Sequence, residues 1–328
     1  MLPASDIAAR PQALSRVRRR GRSNVGDRVW GALLATLGAA VLVIAGLIVF
    51  VLAEAAWPTI SAIGLGAFLK GTDWDPVSEV FGALPFIYGT LVTSAIALVV
   101  ALPVSIGLAL FLTEMAPKWL RPGVNFAIET LASIPSVVYG LWALFVLVPW
   151  LRTTLEPALA KALGFLPLFQ GAPLGVGYLA AGLVLAVMIL PTISSITGEV
   201  MRTVPQNLKE GALALGATRW EAIRLAVLPY SRAGILGATL LGLGRALGET
   251  MAVTMVIGNS PDIRASLFAP GYSLPAVIAN EFAEATAGLH TGALAALGLV
   301  LFALTLLLNT LARLLIRTVG GRAVGGAR

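Results

Sequence analysis

The stretch "FGALPFIYGTLVTSAIALVVALPVSIGLAL", residues 81–110, contains no charged side chain. A helix needs about 20 apolar residues to cross the hydrocarbon core of a bilayer, so this stretch predicts a membrane-spanning helix. The whole chain agrees, because 58% of its 328 residues are hydrophobic and only 12% are charged. A soluble domain of this size cannot bury so much apolar surface in one core. The sequence therefore predicts an all-α polytopic membrane protein.

Six apolar stretches long enough to span a bilayer follow one another along the chain. They lie at 29–53, 84–112, 125–149, 174–198, 233–258 and 291–314. A basic arm, residues 1–28, precedes them, and its low apolar content favours disorder or contact with lipid headgroups. We expect residues 29–318 to form one transmembrane domain with a long inward loop at 199–232, followed by a tail at 319–328.

The positive charges predict the orientation of the chain. Eighteen of the 23 Lys and Arg residues lie in the arm, in the 113–124 and 199–232 loops and in the C-terminal residues 313–328. Cytoplasmic loops of membrane proteins carry an excess of Lys and Arg, so we expect both termini and the 199–232 loop to be cytoplasmic. The net charge of +7 then reflects topology and contact with anionic lipid. Nucleic acid is not expected as a partner.

Several chemistries are excluded by residue content. The chain has no Cys and a single His, which leaves no thiolate site and no zinc constellation. None of the four lysines follows a Gly-x-x-x-x-Gly pattern, so no P-loop is present. The sequence predicts no cofactor on this chain and no catalytic set. A membrane-embedded enzyme remains a weak alternative, since no nucleophile–base pair is visible.

Two charges stand in the middle of the fifth apolar stretch, "LGLGRALGETMAVTMVIG" at 241–258. They are Arg245 and Glu249. Each charged residue costs about 2.5–3.5 kcal/mol at the centre of a spanning helix unless it is paired or faces water. Four residues apart on one helix they share a face and can pair, so one interpretation is an ion pair that only fixes helix packing.

The other interpretation, which we favour, is a site on a translocation path. A buried ion pair is often no more stabilising than an apolar pair, whereas a transporter has a use for a cationic site. We expect small residues nearby to allow close helix approach and two hydroxyls to lie close to the charges. The glycines are Gly237, Gly244 and Gly248, and the hydroxyls belong to Thr250 and Thr254.

The two charges also favour one kind of anion. The planar guanidinium of Arg245 matches a tetrahedral oxyanion. The Glu249 carboxylate repels fully ionised sulfate, but it can accept a hydrogen bond from a protonated phosphate. The pair therefore favours phosphate over sulfate, while other oxyanions stay open.

The 199–232 loop contains "EGALALGATRWEAIRLAVLP", residues 210–229. Pro205 suits a first helical turn, Gly216 suits a left-handed C-terminal position, and Thr218 with Glu221 forms a capping box. We therefore expect two short helices around a tight turn, the second ending before Pro229. A DNA-binding helix–turn–helix is a poor alternative, because the segment shows no basic recognition face.

This loop resembles the cytoplasmic EAA motif of bacterial ABC importer permeases, in which it forms a coupling helix that docks on the ATPase subunit. The motif positions matched at the right spacing are Glu210, Ala212, Gly216, Leu228 and Pro229. Gly211 and Ala226 depart from the pattern, which usually has Ala and Ile at these positions. The loop at 199–232 is called the coupling loop below.

Nearly the whole chain resembles the PstC-type permease subunits of bacterial phosphate ABC importers. The resemblance rests on residues 81–110, 129–142, 210–218 and 244–253, and the outward loop at 69–85 favours this type over the related PstA-type sister subunit. The positions implicated in phosphate passage in that family correspond to Arg245 and Glu249.

The resemblance implies a type I ABC importer (MetI-like) permease fold in a prokaryotic inner membrane. It further implies a PstA-like second permease, a PstB-like ATPase dimer that binds ATP and Mg, and a PstS-like phosphate-binding protein outside. This chain would form half of an alternating-access path for phosphate. A proton-coupled secondary phosphate transporter is the alternative class, but the internal repeats expected of it are not visible in the sequence.

Overall fold

The computed structural model describes residues 25–285 and 288–324. Most of the basic arm, and with it the prediction of disorder there, lies outside the described residues. The chain divides into two compact units after Val51, and the described part of the first unit is helical throughout.

The described residues form fourteen α-helices and one small hairpin. The first half contains α1 (Val25–Ile63), α2 (Leu65–Lys70), β1 (Trp74–Asp75), β2 (Val80–Phe81), α3 (Leu84–Leu110), α4 (Leu120–Ser133), α5 (Ser136–Trp142), α6 (Val148–Trp150) and α7 (Glu156–Leu163). The second half contains α8 (Tyr178–Arg202), α9 (Gln206–Ala214), α10 (Arg219–Ala222), α11 (Leu228–Leu247), α12 (Met251–Thr254), α13 (Leu274–Glu281) and α14 (Leu289–Val324). Wide π-helical turns extend or join some of these helices at Phe111–Met115, Ala143–Leu147, Leu151–Leu155 and Ile223–Val227.

Six helical stretches of the described chain are long and apolar enough to cross a membrane. They are Arg28–Ile63, Leu84–Met115, Ser136–Leu163, Tyr178–Arg202, Arg219–Leu247 and Leu289–Leu314. The prediction of an all-α polytopic protein with six spans is confirmed. The last helix runs on to Val324, into the residues predicted as a tail.

Helix α8 is the centre of the fold, and it packs along α3 on one side and α11 on the other. Glycines make these packings close: a Cβ at Gly182 of α8 would lie 2.5 Å from Ile96 of α3. On α11, a Cβ at Gly242 would lie 2.6 Å from Ile193 of α8. Such distances are too short for any real side chain, so the helix axes approach closely because the residues there are glycine.

The predicted third span, 125–149, is wrong in its boundaries. Pro135 separates α4 from the span, because proline lacks an N–H and pushes the preceding residue out of helical geometry. Ile134 accordingly has an extended backbone, with φ −66° and ψ 130°. The spanning helix starts at Ser136 and continues to Leu163, while α4 packs separately against α8.

The predicted fifth span, 233–258, is also displaced. Its helix begins at Arg219 and ends at Leu247, so the prediction that the second short helix ends before Pro229 is wrong. A π-helical turn, Ile223–Val227, lies just before this proline. The wider turn makes room for the proline ring, whose clash with the preceding turn would otherwise break the helix. Pro149 and Pro157 follow π-helical turns at the same distance.

A cluster of aromatic and polar side chains joins the hairpin to α13 and α14. We call it the aromatic cap; it consists of Trp74, Phe81, Phe86, Tyr272, Glu281 and His290. The Trp74 indole Nε1 donates to Glu281 Oε2 over 2.9 Å, and His290 Nε2 lies 3.1 Å from the same oxygen. Phe81 stacks on His290 with ring centroids 5.7 Å apart. Burial of the Tyr272 ring raises the pKa of its hydroxyl to about 12.

Candidate functional site

Arg245 lies in the last turn of α11, half-buried against α8. Its Nη1 donates to the hydroxyl oxygen of Thr192 over 3.3 Å. Thr192 is the fifteenth of the 25 residues of α8. The guanidinium is therefore tied to the middle of the central helix, although it stands near the end of its own. Arg245 also lies near enough to Tyr139 of α5 to act on that hydroxyl electrostatically.

Glu249 lies outside any helix, which overturns one prediction. Helix α11 ends at Leu247, and Gly248 at its C-cap has φ −96° and ψ 0°. The predicted common helix face for Arg245 and Glu249 is therefore wrong. Glycine has the weakest helix propensity after proline, so Gly248 gives the helix a place to stop. The Glu249 Oε1 instead accepts a hydrogen bond of 3.3 Å from the amide of Ala252, at the start of α12.

Arg245 and Glu249 do not form an ion pair. The ion pairs formed by the described residues join other partners, so the interpretation of a self-satisfied pair on one helix is contradicted. Arg245 keeps a neutral hydroxyl as its hydrogen-bond partner, and Glu249 keeps a backbone amide. Both charges are half-buried, and neither is neutralised by the other.

The predicted close approach at Gly237, Gly244 and Gly248 is also wrong. A Cβ at Gly237 or Gly244 would meet no atom within 4 Å, and at Gly248 the nearest atom is a backbone oxygen at 3.7 Å. The close contacts of α11 lie at other glycines, as described above. These three glycines instead face open space.

The two predicted hydroxyls stand in the segment after the break. Thr250 Oγ1 donates to the carbonyl of Gly248 over 3.3 Å. The hydroxyl of Thr254 is buried without a hydrogen-bond partner. This segment is fixed against α5, because a Cβ at Gly140 would lie 3.1 Å from the Cα of Ala252. The chain thus holds Glu249 in place after the helix has ended.

The coupling loop has the predicted first short helix, α9, and the predicted turn, but α10 continues into the fifth span and is not a separate short helix. Gly216 between α9 and α10 has φ +86°, a left-handed conformation that favours glycine. The Thr218 hydroxyl and the Glu221 carboxylate form both halves of the capping box. Pro205 lies one position before α9, with an extended ψ of 132°. These local predictions are confirmed, apart from Pro205, which precedes the first helical turn.

The EAA-motif residues border an open groove of about 760 Å³ on this loop. Ala212, Gly216 and Pro229 line it, and Glu210 is exposed nearby. Large apolar side chains also face outward here: Leu215 is 91% exposed and Leu225 is 68% exposed. Exposed apolar residues around a groove mark an interaction surface.

The comparisons with known proteins agree with this geometry. A family model described as "Binding-protein-dependent transport system inner membrane component" matches residues 101–321. The phosphate transport system permease protein PstC of Mesorhizobium japonicum is 48% identical over 300 residues, or 90% of this chain and 91% of the relative. The protein of the same name from Xylella fastidiosa (strain 9a5c) is 54% identical over 254 residues, covering 76% and 78%.

A solved structure shares the fold. One chain of a bacterial alginate ABC transporter, in complex with an alginate pentasaccharide-bound periplasmic protein, matches with a TM-score of 0.60 and 17% identity. The match covers 89% of this chain and 96% of that chain, and at this identity it speaks for the fold alone. The fold and the coupling loop define an ABC importer permease of the MetI-like type. The chain belongs to the family of binding-protein-dependent transport system inner membrane components.

Two interactions at this site were not identified from the sequence. Thr192 binds Arg245 across 53 positions of sequence. Lys209, next to Glu210 of the motif, pairs with Glu114 across 95 positions. Neither pairing has a local signal, although Glu114 is an isolated acid at the end of an apolar run.

Proposed function

We propose that this chain is a permease subunit of an ABC importer that moves inorganic phosphate into the cytoplasm. Relatives named phosphate transport system permease protein PstC, with 48% and 54% identity, support the substrate. The energy comes from ATP hydrolysis on a separate polypeptide. The chain is thus a transport subunit and not an enzyme.

The observation that carries the proposal is the state of Arg245. Its guanidinium donates a hydrogen bond to the Thr192 hydroxyl and does not pair with Glu249. A cation that is not neutralised inside a membrane protein is costly unless it faces water or an anion. Arg245 can therefore receive phosphate through its fork of donors while Thr192 fixes its position.

Glu249 has the complementary role. Its carboxylate is half-buried after the end of α11, and its observed partner is the Ala252 amide. It can accept a hydrogen bond from an acidic proton of phosphate, which fully ionised sulfate lacks. Glu249 thus tunes the path for a protonated oxyanion, and Arg245 supplies the attraction.

The proposed partners are those that the resemblance to PstC-type permeases implies. A PstA-like second permease completes the path, and a PstS-like phosphate-binding protein delivers substrate from outside. A PstB-like ATPase dimer, which binds ATP and Mg, docks on the coupling loop through the groove at Ala212, Gly216 and Pro229, with Glu210 and Leu228 completing the motif. The complex lies in the prokaryotic inner membrane with both termini of this chain in the cytoplasm.

The test uses the whole complex in sealed vesicles, with phosphate uptake and ATP hydrolysis measured together. Arg245→Gln is expected to lower uptake at least tenfold while hydrolysis continues, because only the anion site is lost. Glu249→Gln is expected to keep phosphate uptake measurable and to let excess sulfate compete with it. Arg313→Gln, at an exposed position on α14, is the matched control and keeps wild-type uptake.

Two results contradict the proposal. If both Arg245→Gln and Glu249→Gln take up phosphate like wild type, the two charges are structural. If uptake continues without ATP and stops when the proton gradient is removed, the chain works as a secondary transporter. Competition by other oxyanions in the wild type identifies a substrate other than phosphate.

A further inference from the structure

A partly buried ion pair joins the coupling loop to the second span. Lys209 Nζ lies 2.6 Å from Glu114 Oε1, and the two side chains are only 18% and 15% exposed. Lys209 belongs to α9. Glu114 belongs to the π-helical turn Phe111–Met115, which continues α3 at its end. The pair connects a short surface helix to one of the longest elements in the fold.

Helix α9 lies at the surface and packs on the start of the fifth span, at residues 219–227. None of its residues is buried. Among the hydrogen bonds and ion pairs of the described residues, Lys209–Glu114 is the one side-chain bond between α9 and a spanning helix. The end of α3 is itself well anchored, since the Arg121 Nε donates to the Ala116 carbonyl over 2.9 Å. A displacement of α9 therefore acts on α3 chiefly at Glu114.

From Glu114, continuous contacts lead to the proposed anion site. Helix α3 packs along α8, and the Ser105 hydroxyl of α3 donates to the Leu190 carbonyl of α8 over 3.2 Å. Two residues further along α8, Thr192 holds Arg245. Packed helices and hydrogen bonds of this kind can carry an energetic coupling between distant sites.

We infer that the Lys209–Glu114 ion pair is the link that passes movement of the coupling loop to the second span. The inference rests on the proposed function, because the movement comes from the partner ATPase. Lys209 and Glu114 are positioning residues and touch no substrate. Their pair is shielded from water, so it is stronger and less screened by salt than a surface pair.

The chain contains a matched control pair nearby. Arg202 and Glu199 lie 2.7 Å apart on α8, but their side chains are 50% and 69% exposed. Exposed pairs of this kind contribute little to stability. Lys209→Gln and Arg202→Gln each remove one cation and break one ion pair, but only the Lys209–Glu114 pair joins two elements.

The first experiment measures phosphate taken up per ATP hydrolysed, with the whole complex in vesicles. Lys209→Gln and Glu114→Gln are each expected to lower this ratio at least fivefold while hydrolysis and assembly persist. The charge-swapped double variant, Lys209→Glu with Glu114→Lys, is expected to return to within twofold of wild type. Arg202→Gln is expected to keep the wild-type ratio.

The inference is overturned if the single variants keep the wild-type ratio. It is also overturned if they lose transport and the charge swap restores assembly without restoring the ratio. A single variant that does not assemble is replaced by the conservative Lys209→Arg and Glu114→Asp, which keep the pair and are expected to keep the ratio.

A second measurement separates this inference from the proposed function. Because the chain has no Cys, spin labels at Asn207→Cys, exposed on α9, and at Lys118→Cys report the distance between the coupling loop and the end of the second span. In the whole complex this distance is expected to stay the same with and without ATP, and to broaden in Lys209→Gln. If the distance distribution broadens in Lys209→Gln while the wild-type complex takes up no phosphate, the link is supported and phosphate is rejected as the substrate. An unchanged distance distribution in Lys209→Gln rejects the link.

Discussion

The coupling loop and the aromatic cap are held together in opposite ways. In the cap, Trp74, Glu281 and His290 are joined by hydrogen bonds, and three further aromatic rings, those of Phe81, Phe86 and Tyr272, extend the cluster. In the coupling loop, α9 buries no residue, and one ion pair ties it to the second span. Redundant buried contacts make a region rigid, whereas a surface helix without buried residues can move as one small body.

This difference separates residues that stabilise the fold from residues that pass the movement of the ATPase to the spanning helices. A substitution in the aromatic cap should lower the free energy of unfolding, since many contacts depend on each side chain. A substitution in the coupling loop should leave that free energy nearly unchanged and alter how well ATP hydrolysis is converted into transport. Three further predictions test this contrast, beginning with the largest expected effect.

Of the three changes, Gly89→Ala in α3 should lower stability most, because it disturbs the aromatic cap. A Cβ at Gly89 would overlap the backbone carbonyl of Tyr272, which cannot give way as a flexible side chain can. Overpacking of this kind costs about 1–3 kcal/mol, and backbone contact puts the effect at the upper end. Thermal unfolding of the purified complex measures it. Gly107→Ala, on the same helix with no atom within 4 Å, is the control and should keep or slightly raise the unfolding temperature.

Trp74→Phe should have a smaller effect in the same region. It keeps an aromatic ring against Phe81 and Phe86 but removes the indole donor to Glu281. A hydrogen bond to a charged group contributes about 1.5–3 kcal/mol, which thermal unfolding detects. Trp220→Phe in the coupling loop is the matched control, since Trp220 is 58% exposed. Equal losses of stability at the two tryptophans would contradict the contrast between the regions.

Thr218→Ala should have the smallest effect on global stability. It removes the N-cap of α10, at a cost of about 1 kcal/mol that falls on the coupling loop itself. Amide hydrogen exchange at Glu221 and Ala222 should become faster, while the unfolding temperature of the complex changes little. Thr218→Ser keeps the capping oxygen and should exchange like wild type. Faster exchange spread over the aromatic cap would show that the two regions are not independent.

The sequence predicts best what local signals determine. The turn at Gly216 and the capping box at Thr218 lie where the pattern places them, because each depends on residues within one or two turns. The number of spans follows from apolar length, which the bilayer fixes. The third and fifth spans shifted because a proline ends a helix at Pro135, yet π-helical turns carry the helix past Pro149 and Pro229.

The candidate site was predictable in residue type but not in geometry. Two charges in an apolar stretch identify Arg245 and Glu249 as unusual. Helical spacing also allows an ion pair between them, as the alternative interpretation, and the end of α11 before Gly248 removes that spacing. The actual partner of Arg245 is Thr192 on another helix. Such long-range pairings depend on how helices pack, which a single sequence does not reveal.

The π-helical turn Ile223–Val227 has a consequence for the rotation of the helix that follows it. A π-helical turn contains one residue more than an α-helical turn, and each residue advances an α-helix by about 100°. Deleting one residue there would convert the wide turn into an α-helical turn, and the later side chains would keep their direction. If the same residues formed a regular α-helix without the wide turn, Arg245 would instead be turned about 100° away from Thr192. The direction of the cation thus depends on a surplus residue that a wide turn accommodates some twenty residues earlier.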